Sequence, residues 1–423
     1  MKRYWKLSTF ILIIILTIGI FYLKPLFSSN EYPNFTIETI NGDSTEIKNL
    51  TLRGSYSPDT KLQSDFESMY SEKIFSLSHD QVIYDKKQSF FSQLSYLDNF
   101  SPLNRLQKEH KTFIRGKNLQ FQNFFEDDSF IVYVNLDQEF LDKRAGKRFF
   151  DIRLLNKKTD EELSYKIILP EKGEYQYIGI QKIQIINSGL SVVTRNDPSQ
   201  INEQDYQENL SEYHVYQLDL SNQKVVTDHL ISFEKNPSFN GLTQVELLSE
   251  TQLDQTADDL VFYLTYNQSV NGTDQLASLN SSSEILDYEL IHYKISTNES
   301  KKISLPKEVR TLTSAFTSDK NTLYSYFFID KTLTLYTTLL NKPDESSRLL
   351  IDLPVSKDSI EWKSIKNNKL YLVSATTESP LKKKLSIYHL TDGELIYEGS
   401  IEPTADNLLT TKNNLTIDNG LID

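Results

Sequence analysis

The chain of 423 residues has no cysteine and only 13 glycines and 12 prolines. The missing thiols exclude disulfide bonds, thiol catalysis, Cys-ligated zinc or iron–sulfur sites and a lipid anchor attached through cysteine. The P-loop, G-x-G-x-x-G and G-x-S-x-G patterns are also missing, so the sequence shows no phosphate-binding fingerprint and no nucleophile elbow. We therefore assign no catalytic, cofactor-binding or metal-binding residue from the sequence.

Aromatic residues are plentiful, with 24 tyrosines and 23 phenylalanines, and 38% of the residues are hydrophobic. A chain of this length and composition can bury one large core or several smaller ones. Tyr, Phe, Ile, Val and Thr suit the pleated, half-buried surface of a sheet. The composition favours an all-β fold.

One long uncharged run, residues 7–23, is dense in Ile and Leu. At about 1.5 Å per residue it is close to the minimum length of a membrane-spanning helix. Three basic residues precede it and only Lys24 follows closely, which places the N-terminus in the cytoplasm. The sequence predicts a cytoplasmic stub and transmembrane signal anchor over residues 1–30, and a single-pass cell-membrane protein whose residues 31–423 lie outside the cell.

The alternative to an anchor is a signal peptide that is cleaved near Ser28 and Ser29. In either case the remainder of the chain is exported. That remainder holds 41 basic and 58 acidic residues, a net charge of −17, because the first 30 residues hold four bases and no acid. Such acidity argues against nucleic acid or anionic lipid as the main ligand. Cations, cationic peptides, sugars and protein partners stay open.

A phrase recurs along the chain in which an aromatic residue is followed two positions later by an aliphatic one. The pairs are Phe150 and Ile152, Tyr216 and Leu218, Tyr293 and Ile295, and Tyr388 and Leu390, with a looser fifth copy around Tyr336. A spacing of two puts both side chains on one face of a strand. A polar turn and another strand follow each copy, as in "LSIYHLTDGELIYEG" (385–399), and two more strands precede it. Each unit is therefore four antiparallel strands.

Tandem four-stranded units of about 45 residues are typical of β-propeller blades, because stacking the sheets radially covers both faces of each. The pattern over residues 118–402 resembles divergent bacterial β-propellers, at the level of the fold only. We expect a single propeller of seven blades, with six as the alternative, closed by a blade shared between the chain ends. A pair of β-sandwiches or an unclosed β-array is the competing interpretation.

The strand pattern is less regular at the two ends of the chain and over residues 57–117. Residues 35–56 are expected to form a hairpin around Asn41-Gly42, a favoured turn pair, and residues 407–423 to supply another strand. Within 57–117, "DFESMYSEKIFSL" could form a short helix and "IYDKKQSFFSQL" could supply further strands.

The polar residues that could carry chemistry have simple structural explanations. The six histidines are His79, His110, His214, His229, His292 and His389. Three of them lie beside the repeated tyrosines, so we expect them in separate blades and not in one metal site. Adjacent carboxylates occur at Glu126-Asp127-Asp128, Asp160-Glu161-Glu162 and Asp258-Asp259. They could serve glycoside hydrolysis, but such runs are usually solvated turns.

Two S-x-x-K matches, Ser304 with Lys307 and Ser379 with Lys382, lack the other motifs of penicillin-binding enzymes and are interpreted as chance. The basic stretch "PLKKKL" (380–385) is expected to be a solvated turn. The polar stretch 267–283 interrupts the third unit as an insertion, and it is interpreted first as a surface loop.

These observations favour a non-enzymatic module. We predict a membrane-tethered, extracytoplasmic binding or scaffold protein that engages a protein, peptide or envelope component through its propeller loops. The alternative is an envelope glycan hydrolase or lyase that uses carboxylates at the propeller mouth. No cofactor is expected, and no nucleic acid partner.

Overall fold

In the computed structural model the described residues are 33–57, 73–79, 81–85, 103–138, 147–170, 175–186, 189–198, 211–233, 242–248, 258–267, 285–309, 315–319, 321–404 and 413–422. They form 25 strands in six antiparallel sheets, together with two short helices and several 3-10 turns. The described helices are α1 (Leu103–Glu109) and α2 (Lys111–Ile114). None of the helices among these residues is long and apolar enough to cross a membrane, and the predicted anchor lies outside the described residues.

The sheets are numbered here in chain order, and their strands are given from the first to the last in hydrogen-bonding order. Sheet 1 is β25 (Asn414–Ile422), β2 (Leu50–Ser57), β3 (Lys73–Leu77) and β4 (Val82–Tyr84). Sheet 2 is β5 (Phe124–Glu126), β6 (Phe130–Gln138), β7 (Arg148–Asn156) and β8 (Glu161–Ile168). Sheet 3 is β9 (Tyr175–Ile186), β10 (Gly189–Pro198), β11 (Glu212–Asp219) and β12 (Lys224–Ile231).

The remaining sheets follow the same order. Sheet 4 is β13 (Leu242–Leu247), β14 (Asp259–Asn267), β15 (Ile285–Lys294) and β16 (Glu299–Lys302). Sheet 5 is β17 (Ala315–Asp319), β18 (Thr322–Ile329), β19 (Thr332–Leu339) and β20 (Ser346–Asp352). Sheet 6 is β21 (Ile360–Lys366), β22 (Lys369–Ala375), β23 (Lys383–His389) and β24 (Leu395–Pro403), with β1 (Phe35–Gly42) as a fifth strand beside β24.

Burial follows the position of a strand within its sheet. The second and third strands are buried on both faces, as in β22 and β18, whereas the fourth strands β8, β16 and β20 are mostly exposed. A middle strand can be hydrophobic at successive positions because both faces of its sheet are covered. The repeated aromatic residues are in this class: Tyr216, Tyr293 and Tyr388 all lie on third strands and are buried.

Successive sheets share hydrophobic clusters along the chain. Clusters join sheets 2 and 3, 3 and 4, 4 and 5, 5 and 6, and 6 and 1. The other face of sheet 2 packs against α1 and α2 through Leu103, Leu106, Phe113 and Ile114. Six four- or five-stranded sheets packed in this succession are consistent with a β-propeller. The described sheets number six, so the alternative of six blades agrees with the structure better than the expected seven.

The chain ends meet in sheets 1 and 6. The C-terminal strand β25 is the first strand of sheet 1 and pairs with β2, with Leu415 opposite Tyr56. The predicted sharing of a blade between the two ends is therefore confirmed. The predicted hairpin around Asn41-Gly42 is wrong, because β1 pairs with β24 and β2 pairs with β25 and β3.

The hairpin fails for a local reason and a long-range one. A 3-10 helix over Ser44–Ile47, capped by the Asp43 side chain, separates the two strands and buries Ile47. Gly42 has φ of +90° and lies so close to β24 that a Cβ would be 2.2 Å from the carbonyl oxygen of Ile396. The glycine serves this close approach between β1 and β24 instead of a two-residue turn.

All five units predicted between 118 and 402 are present as sheets 2 to 6. Before them, the suggested helix at 65–77 is wrong in its described part, because Lys73–Leu77 is strand β3. The suggested strand after it is confirmed only at β4, Val82–Tyr84. Residues 58–72 and 86–102 lie outside the described part.

Candidate binding face

Each sheet has two different ends, because its strands alternate in direction. We call the loop end the one where the second strand connects to the third and where the fourth strand leads to the next sheet. The turn end is the one where the first strand connects to the second and the third to the fourth. Contacts between sheets join like ends: Arg148 Nη2 donates to the Tyr175 carbonyl oxygen (2.7 Å) at the loop end, and Asn367 N donates to Asp319 Oδ2 (2.7 Å) at the turn end.

The two ends differ in the length of their connections. At the loop end, the connections between second and third strands are residues 58–72, 139–147, 199–211, 268–284, 330–331 and 376–382. The connections between sheets there are residues 85–123, 169–174, 232–241, 303–314, 353–359 and 404–413. At the turn end, the connections of all kinds are residues 43–49, 78–81, 127–129, 157–160, 187–188, 220–223, 248–258, 295–298, 320–321, 340–345, 367–368 and 390–394. Long connections therefore gather at the loop end, and most turn-end connections have six residues or fewer.

The turn end is built for short, specific turns. Five of the six described non-glycine residues with positive φ lie there, namely Asp160, Gln223, Asn298, Asn367 and Asn368. Gly393, with φ of +80°, also lies there, in the predicted turn after Asp392. Left-handed backbone of this kind belongs to tight turns. The turn end thus joins the strands by short turns, while the connections at the loop end differ widely in length.

A partly buried polar network lies at the loop end of sheet 3, on the face toward sheet 2. His214 of β11 lies between two carboxylates: its Nδ1 is 2.7 Å from Asp228 Oδ1, and its Nε2 is 3.3 Å from Glu212 Oε2. The hydroxyl of Tyr175, the first residue of β9, lies 3.2 Å from Nε2 and donates to Glu212 Oε2 at 2.5 Å. The network therefore ties the first, third and fourth strands of one sheet together.

The strand period explains why these side chains meet. On β11, residues 212, 214, 216 and 218 point toward sheet 2, whereas Tyr213 and Val215 point into the cluster with sheet 4. Asp228 lies directly opposite Tyr216 on β12, so its carboxylate reaches the neighbouring imidazole.

Burial and the nearby charge perturb the tyrosine of this network. Burial and the Glu212 carboxylate raise the pKa of Tyr175 well above its usual range, so the phenol stays protonated and able to donate. The Asn196 side chain is fully buried beside it, and its Oδ1 accepts a hydrogen bond from Thr194 Oγ1 at 2.8 Å.

A small cavity adjoins the network and has a volume of about 10 Å³. That is roughly the room that one water molecule needs. It is lined by Leu169, Pro170, Tyr175, Ile178, His214, Tyr216 and Asp228. The cavity has room for one water beside the network, and the hydrogen bond of Tyr175 to Glu212 anchors the start of β9 beside the connection 169–174.

The histidines singled out from the sequence lie in separate sheets, as their places beside the repeated tyrosines predict. His214, His292 and His389 are on the third strands of sheets 3, 4 and 6. His292 Nε2 lies 2.5 Å from Asp259 Oδ1, while His389 is at the turn end near Asp392. Over the described ranges, no three His, Asp or Glu side chains are arranged as ligands of one metal ion.

The carboxylate runs lie at the turn end, away from the long connections. Asp127 Oδ1 accepts from Ser129 N and Phe130 N at 2.7 Å each, which is an ordinary turn. Glu126, however, was expected to be solvated and is 3% exposed. It is paired with Arg105 of α1 and with Lys157 Nζ (2.9 Å), so it fastens α1 to sheet 2.

The basic stretch 380–385 is also different from the expected solvated turn. Lys382 Nζ lies 3.0 Å from Glu402, Lys383 Nζ 2.6 Å from Glu361, and Lys384 Nζ 2.9 Å from Glu398. Lys383 begins β23 and is 3% exposed. The local sequence does not predict these ion pairs, because the three acidic partners lie on other strands, β21 and β24.

The S-x-x-K matches show no serine–lysine pairing that would support chemistry. Ser379 Oγ accepts from Leu381 N at 3.2 Å, and the Lys382 ammonium goes to carboxylates. Ser304 N donates to the Pro343 carbonyl oxygen. The polar insertion 267–283 falls almost wholly outside the described residues, in the loop-end connection between β14 and β15.

Comparison with known proteins gives fold-level similarities only. No family model and no curated protein matches the sequence. Solved structures that resemble it include the β-propeller domain of the Trilobed protease from Pyrococcus furiosus, at 11% identity over 88% of this chain and 86% of that one, with a TM-score of 0.27. A polysaccharide lyase of family PL25, an ulvan lyase, is 13% identical over 77% of each chain, with a TM-score of 0.35.

A prolyl endopeptidase is 12% identical over 96% of this chain, with a TM-score of 0.33, and this chain spans 55% of its length. TM-scores this low assign no function. The class of protein is defined by its own sheets: an all-β chain of repeated antiparallel four-stranded units, consistent with a six-bladed propeller.

Proposed function

We propose that this protein is a membrane-tethered, extracytoplasmic binding module that engages a protein, peptide or envelope component through its loop end. The observation that carries the proposal is the difference between the two ends of the sheets. Binding residues are disproportionately placed on connections that a rigid scaffold positions. Here the scaffold is closed by short turns at one end and carries the long connections at the other.

The sequence supplies the tether. The uncharged run at residues 7–23, with basic residues before it, suits a single-pass anchor that exports the rest of the chain. An anchor confines encounters to the membrane plane and so raises the effective concentration of any partner held there. The acidity of the exported part favours cationic or neutral partners over nucleic acid.

The test is to purify the full-length tagged protein from its native membranes after mild crosslinking and to identify what is recovered with it. A variant in which residues 268–284 are replaced by a two-residue turn removes the longest connection between a second and a third strand. Sheet 5 shows that two residues, 330–331, suffice for this connection. The matched control shortens the connection 248–258, which is the long one at the turn end.

We expect one envelope or membrane component to be recovered with the native protein and with the 248–258 control, and to be lost or strongly reduced with the 268–284 variant. Equal loss from both variants would instead point to a general effect on folding, and retention by both would place the contact elsewhere. Recovery of the protein alone, together with cleavage or retention of cell-wall glycan by the purified protein, would contradict the proposal in favour of an enzyme or lectin.

A further inference from the structure

Two Asn-Gly dipeptides lie in the strands that the chain ends contribute to the sheets. The chain has four such dipeptides, and the structure describes two of them, Asn41-Gly42 and Asn419-Gly420. The first ends β1, the strand that lies beside β24 in sheet 6, and the second belongs to β25, the first strand of sheet 1. Both dipeptides therefore lie where the two ends of the chain meet.

The local geometry of the two dipeptides is the same. Asn41 and Asn419 are exposed, and each side-chain Oδ1 accepts a hydrogen bond from the backbone N–H of the following glycine, at 2.9 Å from Gly42 and 2.8 Å from Gly420. The glycine nitrogen therefore lies next to the side-chain amide carbon, Cγ, to which Oδ1 is bonded. Glycine has no side chain that would hinder a closer approach of its nitrogen to this carbon.

Packing between strands requires the glycine in both places. A Cβ on Gly42 would meet the carbonyl oxygen of Ile396 on β24, and a Cβ on Gly420 would meet the ring of Trp362 on β21. A larger residue at either position would have to displace its neighbour. The fold thus keeps a glycine directly after each exposed asparagine.

We propose that Asn41 and Asn419 are sites of spontaneous deamidation, and that this modification weakens the attachment of the terminal strands. The glycine nitrogen loses its proton and bonds to Cγ, while the Cγ–N bond of the side-chain amide breaks. The leaving nitrogen takes up a proton and departs as ammonia, which leaves a five-membered succinimide ring. Water then opens one of the two ring carbonyls and gives aspartate or isoaspartate. Solvent water is the only co-reactant.

At position 41 both products should disturb the pairing of β1 with β24. Each carries a new carboxylate, and residue 41 lies directly opposite Glu398, which is already paired with Lys384 at 2.9 Å. Like charges directly opposite each other on paired strands are destabilising. Isoaspartate also adds one carbon to the main chain before Gly42, whose position is fixed by its close approach to β24. The end of β1 then loses its register.

At position 419 the two products should differ in their effect. Residue 419 lies directly opposite Arg53 on β2, so the negative charge of aspartate is tolerated there. Isoaspartate lengthens the main chain before Gly420 and moves this residue away from the place where it packs against Trp362. Only isoaspartate should therefore weaken the contact between sheets 6 and 1 at this site.

The modification is tested on the full-length protein, which is incubated in detergent at alkaline pH without denaturant and then digested. Peptide mass spectrometry follows the gain of about one mass unit that deamidation causes at each asparagine. The matched controls are Asn34 and Asn414, which are exposed, lie close to the two sites along the chain and are followed by phenylalanine and leucine. We expect at least about tenfold more deamidation at Asn41 and Asn419 than at these controls.

The rate should fall at mildly acidic pH, because the glycine nitrogen must lose its proton before it attacks. Equal modification of the controls would overturn the assignment of the two sites. Modification of Asn41 and Asn419 that occurs only after unfolding in urea would also overturn it, since the folded geometry would then not be reactive.

The structural consequence is measured by urea titration before and after the incubation. Trp5→Phe leaves Trp362 as the only tryptophan, and its emission reports on the contact between sheets 6 and 1. Once both sites are deamidated, we expect the unfolding midpoint to be at least about 0.3 M lower. The double variant Asn41→Gln with Asn419→Gln should keep its midpoint, because glutamine would have to form a six-membered ring. An unchanged midpoint in the deamidated protein, or an equal loss in the double variant, would overturn the proposed weakening.

Two further variants separate the new charge from the lengthened main chain. Freshly prepared Asn41→Asp should lower the urea midpoint by roughly 0.1 to 0.3 M, because its carboxylate lies opposite Glu398. Freshly prepared Asn419→Asp, with its carboxylate opposite Arg53, should leave the midpoint unchanged. A loss of the same size in both variants would contradict the proposed difference between the two sites.

Discussion

Replacing Lys383 with methionine should destabilise the contact between sheets 6 and 1, where the two ends of the chain meet. The Lys383 ammonium is 2.6 Å from Glu361 Oε1, and the lysine side chain is 3% exposed. The other oxygen of Glu361 accepts from Ile417 N of β25 at 3.1 Å. One carboxylate therefore links β21, β23 and the C-terminal strand, and removing its cation leaves a largely buried charge without compensation.

Breaking a buried ion pair from one side costs about 3–5 kcal/mol, and Glu361 is 21% exposed, so we expect the lower value of about 3 kcal/mol. At a urea m-value of about 3 kcal/mol/M, the unfolding midpoint should fall by about 1 M. The matched control is Lys384→Met on the same strand. Lys384 is 25% exposed where Lys383 is 3% exposed, while their acidic partners are exposed to a similar extent, so the loss of the Lys384 pair should cost less than the loss of the Lys383 pair.

The assay is the fluorescence of a single tryptophan at the contact between sheets 6 and 1. The chain has two tryptophans, Trp5 and Trp362, so Trp5→Phe leaves one reporter. Trp362 is 7% exposed and its ring lies against Gly420 of β25. Urea titrations of the full-length protein in detergent should show a red shift of the emission as the contact between sheets 6 and 1 is lost. Equal urea midpoints for the Lys383→Met and Lys384→Met variants would refute the argument that the Lys383–Glu361 pair stabilises the contact between sheets 6 and 1.

Three further changes test other parts of the structure. Gly420→Ala would place a Cβ 2.1 Å from the Trp362 ring, so we expect a loss of about 2 kcal/mol or more in the free energy of unfolding, measured by urea titration. Asp228→Asn removes the charged partner of His214 and should cost about 1–3 kcal/mol in the same measurement. Burial raises the pKa of Tyr213 to about 12, so the folded state holds its proton more tightly than the unfolded state, and stability should be complete below pH 10 and fall as the pH rises toward 12.

Controls for these changes lie elsewhere in the same chain. Gly189→Ala meets only an ordinary contact at 3.4 Å and should change little, so equal losses at the two glycines would contradict the packing argument. Asp392→Asn acts on an exposed pair with His389 and should stay within about 0.5 kcal/mol. In the Tyr213→Phe variant, the free energy of unfolding should fall less steeply above pH 10. An unchanged slope would contradict the assignment of this pH dependence to Tyr213.

Much of the strand pattern could be predicted because it is local. The alternation that places Tyr216 and Leu218 on one face is visible within a few residues, and so is the turn at Asp392-Gly393. All five units between 118 and 402 follow from such signals. The failures occur where a partner is distant in sequence: β1 lies against β24 rather than β2, since pairing across some 360 residues leaves no local mark.

The candidate binding face was only partly predictable. Connection lengths can be read from the sequence, but their gathering at one end depends on the direction of each strand within its sheet. The His214 network also depends on the fold, because Tyr175, Glu212 and Asp228 come from three strands of one sheet. Lys383 and Glu126 look like surface charges in the sequence, and they become buried only because sheets and helices bring their partners to them.

The sequence by itself therefore determined the all-β class, the repeated four-stranded unit and the exclusion of thiol chemistry, since these depend on composition and on a period of two along each strand. Tertiary structure alone decided that the described strands form six sheets, that the two chain ends pair into sheets 1 and 6, and that the first described residues lie at the loop end. Those outcomes arise from packing and pairing between residues that are far apart in the chain, where the free energy of burial and not the local pattern selects the partner.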